Sequence, residues 1–317
     1  MTAQRALLSG DRQHFAHGPI DLVIGAEGER AAVAAAHEAA WQRFVDVLPE
    51  LVGELALLRQ PVGEHCALQG RVARRMWLAC HPYRAAYITP MAAVAGAVAQ
   101  EIIAAYERPG VSRAWVNNGG DIALRLAPGA SVRVGLVADL ARMPKAAHGS
   151  GLGLDGNFTV AQDMPVRGIA TSGWRGRSFS LGIADSVTVL AGTAAQADAA
   201  ATVIANAVNV DDPRIVRQPA CELKDDTDLG RLLVTIDVPA LEESTVNTAL
   251  ARGVARAREL QDCGLIWEAA LVCQGHLATT AQADPLHMPA PHMVRELLDS
   301  LTVHAAVAGR MTQRTHT

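Results

Sequence analysis

Aromatic side chains are scarce in this 317-residue chain, at 4 % of the sequence. The core must therefore be built from Ala, Val, Leu and Ile, within a hydrophobic content of 50 % that is ordinary for a well-packed soluble protein. Lysine is nearly missing: Lys145 and Lys224 stand alone, and arginine carries the remaining positive charge. A basic excess is missing too. The net charge of −4 removes the electrostatic case for nucleic acid. The five cysteines (Cys66, Cys80, Cys221, Cys263, Cys273) form no C-x-x-C pair, which argues against a disulfide framework or a zinc site. Most of them read as buried thiols. Long apolar runs are also absent. The most apolar stretch, Pro90–Ala99, meets Gln100 and Glu101 at about half the length a bilayer requires. The opening MTAQRALLSGDRQ has no apolar signal core, so the expectation is a cytoplasmic protein without a membrane partner.

Chain length allows one large domain or two lobes sharing a core. A first strand is expected at Ile20–Ile24, after a Gly-Pro turn. Val33, His37, Trp41, Phe44, Leu48, Leu51, Leu55 and Leu58 then recur at helical spacing. Pro49 interrupts that stripe and predicts one helix ending near Leu48 and a second opening at the proline. His37 has no second ligand one turn away and reads as a core or rim residue. Gln60–Thr89 reads as irregular. Thr89 caps an expected helix with Pro90 in its first turn, and Gly96 inside it costs about 1 kcal/mol relative to alanine unless close packing demands it.

Ala114–Asn117 and Ile122–Leu126 are strand-like, with Asn117–Gly120 as the turn between them. A hairpin accounts for the glycines. It leaves Asp121 unexplained, and Asn118, Gly119, Gly120 and Asp121 together offer main-chain N–H groups and an acceptor to a ligand. Val132–Val137 is a further strand, and Ala141–Asn157 a polar, glycine-rich loop or lid. Asp211–Asp228 reads as an acidic loop, followed by a strand at Leu232–Val238, a helix at Glu242–Gln261 and a last strand at Leu265–Val272. His276, His287 and His292 fit no metal-ligand spacing. A short helical run at Met293–Ala306 lies in what reads as a tail. Irregular alternation of helices and strands predicts an α+β fold.

One stretch concentrates the chemistry. In Gly168–Val208 a glycine-rich loop with Arg175 and Arg177 leads into a strand and then an alanine-rich helix whose one formal charge is Asp198. Thr202 stands one turn further on the same face, and Asn206 extends the stripe. A carboxylate and a hydroxyl are hard oxygen donors suited to magnesium, although an amphipathic helix could carry them as a solvated stripe. Thr171, Ser172 and Gly173 offer hydroxyls and N–H groups, and the two arginines offer forked phosphate donors. Ser172 lies outside any G-x-S-x-G elbow.

The order VNNGGDI, ATSG, SVTV, ADAAATVIANAV resembles the ApbE family, the FAD:protein FMN transferases. It looks closest to an ApbE-like sister group marked by ITPMAAVAGAVA and RGIATSGWRGRSFSLGIADSVTVL. The resemblance implies an ApbE-like fold of mixed or antiparallel sheets packed with helices in two intimately joined lobes. Residues 1–275 would form that domain, and 276–317 a surface-docked or flexible tail. It also implies a magnesium ion held by Asp198, Thr202 and the main-chain carbonyl of Ala170, with Gly119, Gly120 and Asp121 on the nucleotide. Such an enzyme cleaves the diphosphate of FAD, joins FMN to an acceptor protein and releases AMP.

The departures are local. The transferases' His-Ile-Ile-Asp-Pro-x-Thr-Gly loop has no counterpart in WRGRSFSLGIAD (residues 174–185), and their lysine before a helix glycine aligns with Ala95. No aromatic flavin clamp or lipoprotein signal is evident. Three readings follow: a magnesium-dependent flavin transferase or related diphosphate enzyme, a binding or assembly protein that holds a flavin or other nucleotide without turnover, or an enzyme that reuses the fold for a small acidic metabolite. A homo-oligomer is compatible with each.

Overall fold

The computed structural model describes residues 2–136 and 156–281. Its frame is a nine-stranded sheet in which every neighbouring pair runs antiparallel. The strands are β1 (Gln4–Leu7), β2 (Gln13–His17), β3 (Ile20–Gly28), β4 (Val111–Asn118) and β5 (Asp121–Leu126). They continue through β8 (Gly168–Ser172), β9 (Ser186–Ala191), β12 (Glu268–Cys273) and β13 (His276–Thr279). Spatial order follows chain order, so the sheet is a meander whose connections carry the helices and two small sheets. One small sheet pairs β6 (Ser131–Leu136) with β7 (Gly156–Ala161), the other β10 (Val216–Pro219) with β11 (Leu233–Asp237). The α+β class with antiparallel sheets is thus observed.

Between β3 and β4 come α1 (Arg30–Gly53), α2 (Leu55–Leu58), α3 (Arg71–Cys80) and α4 (Val94–Ile103). Between β9 and β12 come α5 (Ala194–Ala207), α6 (Ala220–Leu223) and α7 (Glu243–Asp262). Helix α1 runs straight through Pro49, contrary to the expected break. Phe44, Val47 and Leu51 are buried on both sides of the proline, and their burial offsets the roughly 3 kcal/mol cost of a proline within a helix. Arg43 also bridges the proline turn, with its guanidinium on both carboxylate oxygens of Glu50 at 2.8 and 2.7 Å.

Other expectations need correction. Helix α3 lies in the stretch expected to be irregular; Val72, Met76 and Cys80 repeat at four-residue spacing on its buried face. The helix expected from Thr89 begins as a 3₁₀ turn over Pro90–Ala93, and the Thr89 hydroxyl donates to Asp228 instead of capping it. The acidic span Asp211–Asp228 contains β10 and α6. The boundary drawn after residue 275 falls inside the β12–β13 hairpin, whose turn places Gln274 and Gly275 at positive φ. Of the expected loop Ala141–Asn157, Gly156 and Asn157 belong to β7. The rest of that loop, His287, His292 and the run Met293–Ala306 lie outside the described residues.

Two hydrophobic clusters hold the frame. The larger packs the helices against sheet residues such as Val116, Ala123, Ala170 and Val189. The smaller joins Leu124, Ile169 and Leu190 to Val160 of β7. Alternation along β5 and β8 separates the faces: Ala123 and Ala170 join the helical cluster, Leu124 and Ile169 the other. Asp121, two residues before Ala123, is therefore carried on the helix side.

Candidate functional site

The β4–β5 connection is a tight two-residue turn, with Asn118 opposite Asp121 and both Gly119 and Gly120 at positive φ (66° and 117°). Such a turn needs residues that tolerate left-handed backbone, which explains the two glycines without reference to a ligand. The Asn117 side-chain oxygen accepts from the Gly120 N–H at 2.8 Å, and the Asn118 amide donates to the Ala95 carbonyl at 3.1 Å. The second bond ties the turn to the start of α4.

Asp121 is 8 % exposed. One of its oxygens accepts from the Thr171 N–H at 3.2 Å. Burial pushes this carboxyl up to about 7, against the opposing pull of the Thr171 bond and the Arg177 charge. Asp198 sits on α5 facing the first turn of α4, where its Oδ2 accepts from the Gly96 N–H at 2.9 Å. Burial raises its pKa well above the usual carboxylate range, and the charge of Asp121 raises it further, while the Gly96 and Ala95 N–H groups lower it. A buried and a part-buried acid thus repel each other beside a helix start. A hard cation would relieve that repulsion, and carboxylate, hydroxyl and carbonyl oxygens are the ligands such a cation takes.

The close approach of α4 and α5 depends on Gly96. A methyl group there would lie 2.2 Å from the Ala194 carbonyl oxygen and 2.9 Å from the Asp198 Cβ. Thr202, one turn beyond Asp198, is partly buried, and Ala170 is fully buried in β8. The Thr171 N–H and hydroxyl are occupied, the first by Asp121 and the second by Thr188 at 2.9 Å. Ser172 ends β8, and Gly173 packs so tightly that a methyl would lie 2.3 Å from the Asp185 carbonyl oxygen.

The two arginines of the loop part company. Arg175 lies 3.2 Å from Asp185 and over the Trp174 ring at 4.9 Å. Arg177 reaches the glycine turn: a methyl on Gly119 would meet its Nη2 at 2.1 Å. Four participants escaped the sequence reading: the Ala95 carbonyl, the Gly96 N–H, Asp185 and Asp228. Only Gly96 carried a signal, as a glycine inside a helix. Asp228 lies on the Thr89 side, and its charge adds to that of Asp198 in raising the buried Cys80 thiol, behind burial itself.

Among the described residues no three His, Cys, Asp or Glu side chains converge into a metal cluster. An open recess of 640 Å³, lined by Arg108, Gly110, Arg125 and Pro128, lies at the opposite end of the β4–β5 hairpin. Concavity alone therefore does not point to the acids; their burial and mutual repulsion do.

A family model described as AbpE bacteria matches residues 4–279. A UPF0280 protein of Methanopyrus kandleri is 36 % identical over 213 residues, covering 65 % of this chain and 78 % of its own length. A UPF0280 protein of Methanospirillum hungatei is 39 % identical over 126 residues, 39 % of this chain and 47 % of the relative. One from Methanothermobacter thermautotrophicus is 39 % identical over 144 residues, 45 % of this chain and 52 % of the relative. The chain spans about half the length of these last two. The solved flavin transferase ApbE from Vibrio cholerae gives a TM-score of 0.39 at 13 % identity, covering 89 % of this chain and 98 % of that one. A mutant form of it gives 0.46 at 14 % identity, covering 88 % and 98 %. With the match running from the first strand of the sheet to the last, this chain belongs to the AbpE bacteria family.

Proposed function

We propose that the protein binds the diphosphate of a flavin nucleotide, FAD, at a magnesium ion held by Asp198, Thr202 and the Ala170 carbonyl. On this reading it acts as a magnesium-dependent flavin transferase or in related diphosphate chemistry. The observation that carries the reading is the pair of carboxylates, buried Asp121 and part-buried Asp198, each with its pKa raised and each held by main-chain N–H groups. When bound, the metal supplies charge neutralisation at the phosphates. The chain's own groups do the rest. Asn118 fixes the glycine turn against α4, Asp121 and Asp198 hold the negative charge in place, and Arg177 offers a guanidinium above Gly119. Ser172, Gly173 and Arg175 complete the loop that borders the nucleotide, with Arg175 anchored on Asp185.

Incubation of the protein with FAD, magnesium and candidate acceptor proteins tests the transferase. Release of AMP with covalent FMN on an acceptor supports it. FAD that stays bound and intact under all conditions rejects transfer and leaves a nucleotide-binding or assembly role. That second reading has its own support: the position preceding Gly96 is Ala95, which has no charged side chain, and its carbonyl already accepts from Asn118. Among the described residues no helix is long and apolar enough to cross a membrane. A cytoplasmic setting and a homo-oligomer belong to the proposal.

A further inference from the structure

Two arginines stand two residues apart in the loop after β8, and their surroundings assign them different work. Arg175 is fixed between Asp185 and the face of Trp174. Arg177 is exposed and lies across Gly119, so closely that only a residue without a side chain leaves room for it. From there the guanidinium stands over the turn that leads into Asp121, two residues on. An exposed, long-stemmed cation lying on a glycine turn can leave without unpacking the core. A guanidinium is also suited to a phosphate once it is released.

We propose that Arg177 is a movable counter-cation of the Asp121–Asp198 pair. Without ligand its guanidinium lies over Gly119 and offsets the Asp121 charge; when a divalent cation enters, it is released to hold a phosphate of the nucleotide. The inference rests on the magnesium and flavin-nucleotide reading above and adds to it the residue that couples the two ligands. It separates a phosphorylated nucleotide from the bare flavin, because riboflavin gives the guanidinium no phosphate to hold.

Calorimetric titration of the full chain with magnesium alone, then with FAD or riboflavin in saturating magnesium, provides the test. Arg177→Gln removes the competing charge, so magnesium alone binds about threefold more tightly, as loss of one neighbouring unit charge near a protein surface allows. The same variant binds FAD about tenfold more weakly, the size of a charge-assisted hydrogen bond, and binds riboflavin unchanged. Arg177→Lys retains the parental magnesium affinity and loses part of the FAD affinity, since it keeps the charge without the fork. Magnesium and FAD affinities in Arg177→Gln within about twofold of the parent overturn the inference, as does equal weakening of FAD and riboflavin. Asp198→Asn isolates the underlying reading. If it binds magnesium like the parent, the metal site itself is refuted; if it loses magnesium while Arg177→Gln changes nothing, Arg177 alone is misassigned.

Discussion

The carboxylate of Asp198 on α5 accepts a hydrogen bond from the main-chain N–H of Gly96 on α4, 2.9 Å away. That bond exists because two small-residue surfaces meet: Gly96 stands where a methyl would lie 2.2 Å from the Ala194 carbonyl oxygen. Gly96→Ala therefore sets a gain of about 1 kcal/mol in helix propensity against overpacking of about 1–3 kcal/mol and a displaced Asp198. We expect urea denaturation to show a net loss of about 1–2 kcal/mol, with magnesium-dependent FAD binding lost as well. Equal or greater stability would contradict the packing described.

Removal of one charge from a repelling pair has an unusual signature. Asp121→Asn is expected to leave the metal-free protein as stable as the parent or more so, because the repulsion between Asp121 and Asp198 is relieved. The same substitution diminishes the rise in melting temperature produced by magnesium, which scales with site occupancy. Thermal unfolding at several magnesium concentrations checks both halves. A large loss of metal-free stability, with the magnesium response intact, would make Asp121 a structural acid only.

Glu101 sits 2 % exposed at its side chain between Arg43 and Arg75, each at 2.7 Å. Burial raises its pKa, but the hydrogen bonds and charges of the two arginines outweigh burial and leave it below the usual 4.5. A depressed carboxylate contributes stability that is present above pH 4.5 and lost as the pH falls through its folded value. Glu101→Gln is expected to cost about 3 kcal/mol near neutrality, since it leaves the part-buried Arg75 guanidinium without its anion and Arg43 with Glu50 alone. The variant's deficit should shrink below pH 4.5, which denaturation midpoints across pH 3–7 would reveal.

Pro49 offers the opposite test. It removes one helix hydrogen bond inside α1, yet the helix continues to Gly53. Pro49→Ala restores that bond and should stabilise the protein by about 2 kcal/mol, after allowance for the greater freedom of the unfolded chain. A destabilised variant would mean that the proline shapes the helix for its packing.

These cases show which parts of the structure were legible beforehand. The β4–β5 hairpin could be read because Asn117–Gly120 combines turn chemistry with β-rich flanks. Asp198 stood out as the lone acid on an alanine-rich helix, and the metal proposed for it comes from the ApbE resemblance. Helix α3 was hidden by its arginines and by the flanking Gly70 and Pro82, although its buried face keeps helical spacing. The fully exposed strand β1, QRAL, shows no alternation in burial, so periodicity had nothing to register. Burial on both sides of Pro49 is a tertiary property, invisible to local propensity. Nor could spacing decide between Arg175 and Arg177. Their partners Asp185 and Gly119 are placed by the sheet, not by nearness in the chain.

The central claim is that Asp198, with Thr202 and the Ala170 carbonyl and beside Asp121, holds a divalent cation required for flavin-nucleotide binding. Titration of FAD into the parent and into Asp198→Ala, each with magnesium and with chelator, tests it most directly. The account predicts FAD binding in the parent that requires magnesium and is lost in the variant. FAD binding that survives the substitution unchanged, or that ignores the chelator in the parent, would contradict it.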